Sequence, residues 1–213
     1  MYKITFKLLS PICFVDRPIF DGIIAYAYAK ENLKEKFYQK LNIDDIIDFS
    51  KMPIKMHQKG YFISSQMFFD ENINFIGSWK KRWESKYDFL VGDKSRKIRT
   101  SQGYFKSFNI PLNLFSIPEV YFYFDTYNLE EIKFLIDKHI AFLGKKGSQG
   151  YGLIDYYEIE ISNIDFENNI LRPIPKKFVN LNDIKDYSIK FTAWKPPYWL
   201  PDNFDECVVP KEI

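Results

Sequence analysis

EVYFYFDTYNLEEIKFLIDKHIAFLGKKGSQGYGLIDYYEIEIS, residues 119–162, sets a strand, a helix, a glycine-rich loop and a second strand in immediate succession. EVYFYFD is β-branched and aromatic enough for a strand. From Asn128 the apolar residues Leu129, Ile132, Leu135 or Ile136, His139 and Phe142 or Leu143 recur at helical period, which predicts a helix with one buried stripe. Asn128 is placed to cap it, Glu130 and Glu131 suit its first turn, and Gly144 is its expected stop. In GLIDYYEIEIS, Ile159 and Ile161 alternate against Glu158 and Glu160, the mark of a strand.

The same order occurs at the start of the chain. In KITFKLL at 3–9, Ile4, Phe6 and Leu8 alternate with Lys3, Thr5 and Lys7, predicting a half-buried strand. IFDGIIAYAYAKENLKEKF follows with helical spacing, with Asp16 able to cap it and Pro18 suited to a first turn. Gly22 inside that turn costs about 1 kcal/mol relative to Ala and reads as close packing, ligand approach or an ordinary junction. YFISSQMFF at 61–69 reads as a strand. Two strand–helix units flanking an irregular middle predict an α+β, ferredoxin-like domain over 1–213. A long central insertion is expected at 45–118 and a Pro- and aromatic-rich tail at 187–213.

The net charge of +2 conceals its distribution. Residues 79–106 carry 9 basic and 3 acidic side chains, a local +6, whereas 110–213 carry 11 basic and 16 acidic. One basic segment in a near-neutral protein points to a localised polyanion footprint, or to a solvated basic loop. It also holds Trp79, Trp83, Tyr87, Phe89, Tyr104 and Phe105, in a chain that is 19% aromatic. Cys13 and Cys207 lie far apart with no CxxC spacing, so no zinc or disulfide framework is supported and a reducing cytoplasm is the expected setting. Cys207 reads as a small buried hydrophobe. No signal peptide and no run of 18 apolar residues is evident.

GKKGSQGYG, residues 144–152, follows a helix and precedes a strand, the reverse of a P-loop, and its spacing fits neither GxGxxG nor GxxxxGK[ST]. Nucleotide hydrolysis is therefore unsupported, and no metal or other cofactor is expected. Four glycines in nine residues let backbone amides approach an extended polymer, with Lys145 and Lys146 for phosphates and Tyr151 as a stacking face. A flexible connection with solvent-facing lysines is the plainer alternative.

FLGKKGSQGYGLI at 142–154 resembles the glycine-rich loop of the RAMP superfamily of CRISPR proteins, a ferredoxin-like or RRM-type fold. With DRPIFDGIIAYAYA at 16–29, WKKRW at 79–83, KIRTSQGYFKSFNIPL at 97–112 and PPYWLPDNFDECVVP at 196–210, the chain resembles the small, type IV-like effector subunit that binds the 5′ handle of guide RNA. The resemblance implies an antiviral-defence ribonucleoprotein. The subunit would be non-catalytic and would cap the backbone filament, with guide RNA and the backbone and large subunits as partners and target DNA reached indirectly, away from any membrane. It implies RNA contacts at Lys145, Lys146, Ser148, Gly150 and Tyr151, and at Lys80, Lys81, Arg82, Arg96, Lys97 and Arg99 in a thumb-like insertion. Gln149 stands where many relatives have a second basic residue.

Some relatives are metal-independent endoribonucleases that process precursor guide RNA, and this chain offers two imidazoles for such work, His57 and His139. His139 sits on the apolar stripe and reads as a satisfied near-core residue. His57, between Lys55 and Lys59, is the better candidate base or acid, with a surface role as the alternative. A third reading is a protein–protein scaffold without RNA contact, docking through Trp194, Pro196, Pro197, Tyr198 and Trp199.

Overall fold

The computed structural model describes residues 1–39, 47–70, 72–84, 101–102, 106–166, 169–181, 184 and 187–210. The central sheet has the order β5 (Glu119–Phe124), β1 (Tyr2–Leu8), β6 (Ile154–Ile161), each pair antiparallel. β5 and β6 are therefore parallel, with β1 between them and α2 (Leu129–His139) as the crossover. Residues 63–68 lie along the outer edge of β5, where Ser65 N–H donates to Tyr123 O (2.7 Å) and Phe68 N–H to Tyr121 O (2.9 Å). They follow α1 (Phe20–Leu33) and extend the three-stranded sheet by isolated bridges, in the place a fourth strand takes in two strand–helix–strand halves. This mixed architecture of α-helices and antiparallel sheet is consistent with the expected ferredoxin-like fold.

The alternation in β1 explains its layering. Ile4 and Phe6 are fully buried against Val120, Phe122 and Phe124 of β5, Phe20 and Ile24 of α1, and Ile132, Leu135 and Ile136 of α2. On the opposite face, Lys3 pairs with Glu160 (3.4 Å) and Lys7 with Glu119.

Both helices depart from the expected termini. Asn128 caps α2 as read, its Oδ1 accepting from Glu131 N–H (3.2 Å). The helix ends at His139 and not at Gly144, because residues 141–143 leave it to pair with the start of β6. Ile154 N–H donates to Ala141 O (3.1 Å) and Leu143 N–H to Gly152 O (2.8 Å). α1 starts at Phe20 with Ile19 as N-cap and no side-chain cap. Its Phe20 N–H is instead satisfied by Ser65 O (3.0 Å), and Asp16 pairs with Lys190.

Two smaller antiparallel sheets flank the core. β3 (Ile73–Lys81) and β4 (Phe108–Ser116) pair over their whole length, with the short β2 (Ile12–Cys13) on the other edge of β4. β7 (Ile174–Pro175), β9 (Phe204–Pro210) and β8 (Tyr187–Ala193) form the other sheet. Tyr61, Phe166, Leu171, Ile174, Trp194 and the fully buried Cys207 make its core, on which Phe68 and Tyr123 of the central region pack. Burial pushes the Cys207 thiol up to about 11, so it behaves as the small hydrophobe read from the sequence.

A buried ion pair ties these layers together. Arg172 and Asp21 are both fully buried and meet at 2.9 Å. The guanidinium also donates to Phe62 O (2.6 Å), Trp194 O (2.5 Å) and Tyr198 Oη (3.0 Å), while Tyr198 donates to Asp21 (2.5 Å). Burial, then the Asp21 charge, push the Tyr198 phenol well above its ordinary value. Gly22 earns its place here, since a Cβ would lie 2.9 Å from the Tyr198 ring. No helix among the described residues is long and apolar enough to cross a membrane.

Candidate nucleic-acid interface

The glycine-rich loop is built by left-handed backbone at four positions: Gly144 (φ 77°), Lys146 (65°), Gly150 (86°) and Gly152 (70°). Two of these glycines are required by packing. A Cβ at Gly152 would lie 2.0 Å from Leu143 O, and one at Gly144 2.5 Å from Cys13 O. Gly150 differs: a Cβ there would meet nothing within 4 Å, so only backbone conformation favours glycine. Lys145 N–H donates to Cys13 O (2.6 Å) and Gly152 N–H to Pro11 O (2.8 Å), stitching both ends of the loop to the chain just after β1. Between them residues 147–149 make one 3₁₀ turn. Lys145, Ser148, Gln149 and Gly150 are exposed.

The loop meets the β3–β4 hairpin. Lys146 Nζ lies 3.6 Å from the centroid of Trp79, whose ring also contacts the edge of Phe108 at 4.7 Å. Tyr151 and Trp79 pack on Cys13, Leu112 and Leu114, so Tyr151 is half-buried against the hairpin. Lys80, Lys81 and Arg82 follow Trp79 directly and are exposed, as is Lys106 just before β4. Lys81, two residues on, projects from the same face of β3 as Trp79, and Lys80 from the opposite face. Arg96, Lys97 and Arg99 lie outside the described residues. Burial raises the Cys13 thiol, opposed by the charges of Lys145 and Lys146.

His57 is elsewhere. Its neighbour Lys55 donates its backbone N–H to Asp125 O (3.0 Å), beyond the end of β5 at which Phe124 pairs with Tyr2. The glycine loop sits at the other end, where Leu9 N–H donates to Leu153 O (2.9 Å). The seven residues of β1 separate them, about 20 Å of strand. The His57 ring stacks on Tyr61 (centroids 4.5 Å apart), and its Nδ1 accepts from Lys59 N–H (3.1 Å). His139 is held near the core by Glu31 at 2.7 Å. Hydrogen bonds from Lys138 and then His139 hold the Glu31 carboxyl below its usual range. Among the described residues no three His, Cys, Asp or Glu side chains converge as a metal-binding group.

The mixed α/β architecture, with a glycine-rich loop entering β6 and a basic hairpin beside that loop, is consistent with a RAMP-type fold. The family model for CRISPR type IV associated protein Csf3 matches residues 50–210, and the chain belongs to that family. The matched span takes in the hairpin, the glycine loop and the C-terminal sheet. No curated protein matches the chain. Family membership suggests a part in a CRISPR effector complex.

Proposed function

We propose that this chain is a non-catalytic subunit of a CRISPR effector complex that grips the 5′ handle of guide RNA and caps the backbone filament. One observation carries the reading. Contact between Lys146 and Trp79 brings the glycine loop, with its exposed Lys145, Ser148 and Gly150, against the strand that carries the exposed Lys80, Lys81 and Arg82. Loop and strand together offer exposed cations and open backbone suited to phosphates, which fix position without reading sequence. We take the thumb to be the β3–β4 hairpin, because residues 63–68 lie in the central sheet. The subunit's partners on this reading are guide RNA and the backbone and large subunits, with target DNA met through them. The ribonuclease alternative has less support, because His57 and the glycine loop occupy opposite ends of the sheet and supply no shared site.

The test is a salt titration of single-stranded RNA binding by the parent protein and by Lys80→Ala/Lys81→Ala/Arg82→Ala. Each lost phosphate contact lowers the slope of log K against log salt by about 0.7 for single strands. The triple variant should therefore lose about two units of slope. An unchanged slope in a folded variant would place these residues against solvent or protein. Co-expression with the other subunits and a guide RNA, with and without its handle, tests the finer assignment. Equal retention of both RNAs would refute it.

A further inference from the structure

We propose that Lys146 is a positioning residue that latches the hairpin to the glycine loop through Trp79, and does not contact phosphate itself. The inference rests on the RNA-binding reading above, and it departs from the sequence pattern, which grouped Lys146 with Lys145 as phosphate contacts. Three features distinguish it from its neighbour Lys145. Its ammonium is 3.6 Å from the Trp79 centroid, against the π face of an indole. Its backbone is left-handed at φ 65°, a conformation uncommon for a residue with a side chain. It is half-buried, whereas Lys145 is exposed.

The latch has mechanical sense. The hairpin is otherwise anchored at its base: the two residues of β2 pair with Leu114 and Phe115, Phe115 stacks on Phe14 (4.2 Å), and Leu112 and Leu114 pack with Cys13 and Tyr151. Much of the hairpin stands in solvent, with Ile73 71% and Ile76 78% exposed. A cation placed on Trp79, the residue immediately before Lys80, Lys81 and Arg82, therefore fixes where those three charges stand relative to the loop. Lys146 acts on RNA through Trp79, by holding the glycine loop and the basic strand in register.

The test is a double-mutant cycle with two readouts, using the full chain. Lys146→Met keeps the length of the side chain and removes its charge; Lys146→Arg keeps the contact with the indole; Trp79→Leu removes the ring. The first readout needs no RNA: the rate of tryptic cleavage at Lys80, Lys81 and Arg82, which rises when the hairpin loosens. Lys146→Met should raise it about two- to fivefold, the range a partly exposed cation–π contact supports. Lys146→Arg should leave it unchanged, and Lys146→Met should add nothing in the Trp79→Leu background. The second readout is affinity for fluorescein-labelled oligouridine across a salt series. There Lys146→Met should weaken binding without lowering the slope, while Lys145→Met should lower it by about 0.7. Unchanged cleavage in Lys146→Met overturns the latch. So does a loss of slope in Lys146→Met additive with Trp79→Leu, which would make Lys146 a phosphate ligand. If the parent protein fails to bind oligouridine while the cleavage pattern holds, the RNA reading fails and the latch stands.

Discussion

Gly150 and Gly152 have almost the same backbone conformation and opposite surroundings, so substituting each by alanine separates strain from packing. At either position alanine accepts a left-handed conformation at a cost of about 1–2 kcal/mol. At Gly150 that is the whole cost, because the new Cβ enters open space. At Gly152 the Cβ would lie 2.0 Å from Leu143 O, so the backbone must move. Two 2.8 Å hydrogen bonds would suffer, Leu143 N–H to Gly152 O and Gly152 N–H to Pro11 O. Each contributes about 1 kcal/mol net, so Gly152→Ala should lose about 3–4 kcal/mol. That is a large share of the roughly 5–15 kcal/mol typical of a domain. Urea unfolding followed by circular dichroism reads the difference directly. With a slope of about 2 kcal/mol/M, the Gly152→Ala midpoint should fall by about 1.5–2 M and the Gly150→Ala midpoint by about 0.5–1 M. RNA retention should show the reverse selectivity per unit of lost stability. Gly150→Val, with its bulk on the open side of the loop, should impair binding in a protein that still folds. Equal midpoints for the two alanine variants would refute the packing argument. Full RNA retention by folded Gly150→Val would refute the close approach of backbone to RNA.

Arg172→Met strands the fully buried Asp21 carboxylate without its ionic partner, and should destabilise the fold by about 3–5 kcal/mol in urea titrations. Arg172→Met/Asp21→Asn should recover part of that loss; a double variant no better than the single would show that packing, not the unpaired charge, sets the cost. Glu31, held below its ordinary value of 4.5 by Lys138 and His139, contributes stability that is present above 4.5 and lost as pH falls through its lowered folded value. Glu31→Gln should therefore flatten the acid limb of the thermal midpoint plotted against pH, and an unaltered limb would contradict the pairing. His57→Ala should leave guide-RNA retention and precursor processing unchanged; loss of cleavage with binding intact would make the protein a guide-processing ribonuclease.

The elements that bury a periodic stripe were legible before the structure. The alternation of Ile4 and Phe6 and the spacing of Ile132, Leu135 and Ile136 report on local geometry, and both faces point inward as read. Asn128 likewise acts within one turn of itself. What failed were readings whose outcome depended on distant chain. Asp16 had the composition of a cap, but Ser65 supplies the acceptor and frees Asp16 for Lys190. The apolar stripe past His139 continued in sequence, yet pairing with residues 152–154 competes better for that backbone. Arg172 gave one visible signal, a charged residue enclosed by Ile170, Leu171, Pro173 and Ile174. Its partner lies on α1, 151 positions away, which no local pattern encodes. In the candidate interface, the residue types were legible but their orientation was not. Lys145 and Lys146 are adjacent and chemically identical, and only the position of Trp79 assigns them different neighbours.

The strand between β5 and β6 precedes both of its partners by more than a hundred residues. Both ladders of β1 close with residues 119–124 and 154–161, so its partners are synthesised more than a hundred positions later. At about 5–20 residues per second, both edges of β1 wait for seconds without a partner strand, and Ile4 and Phe6 have α1 but not α2 to pack on. Closure over such sequence separation is slow in any case. Until then the nascent chain presents a seven-residue template to any passing strand. Yield of this protein in cells should therefore depend on chaperone capacity and on the tempo of translation ahead of residue 162 more than on the stability of the finished domain.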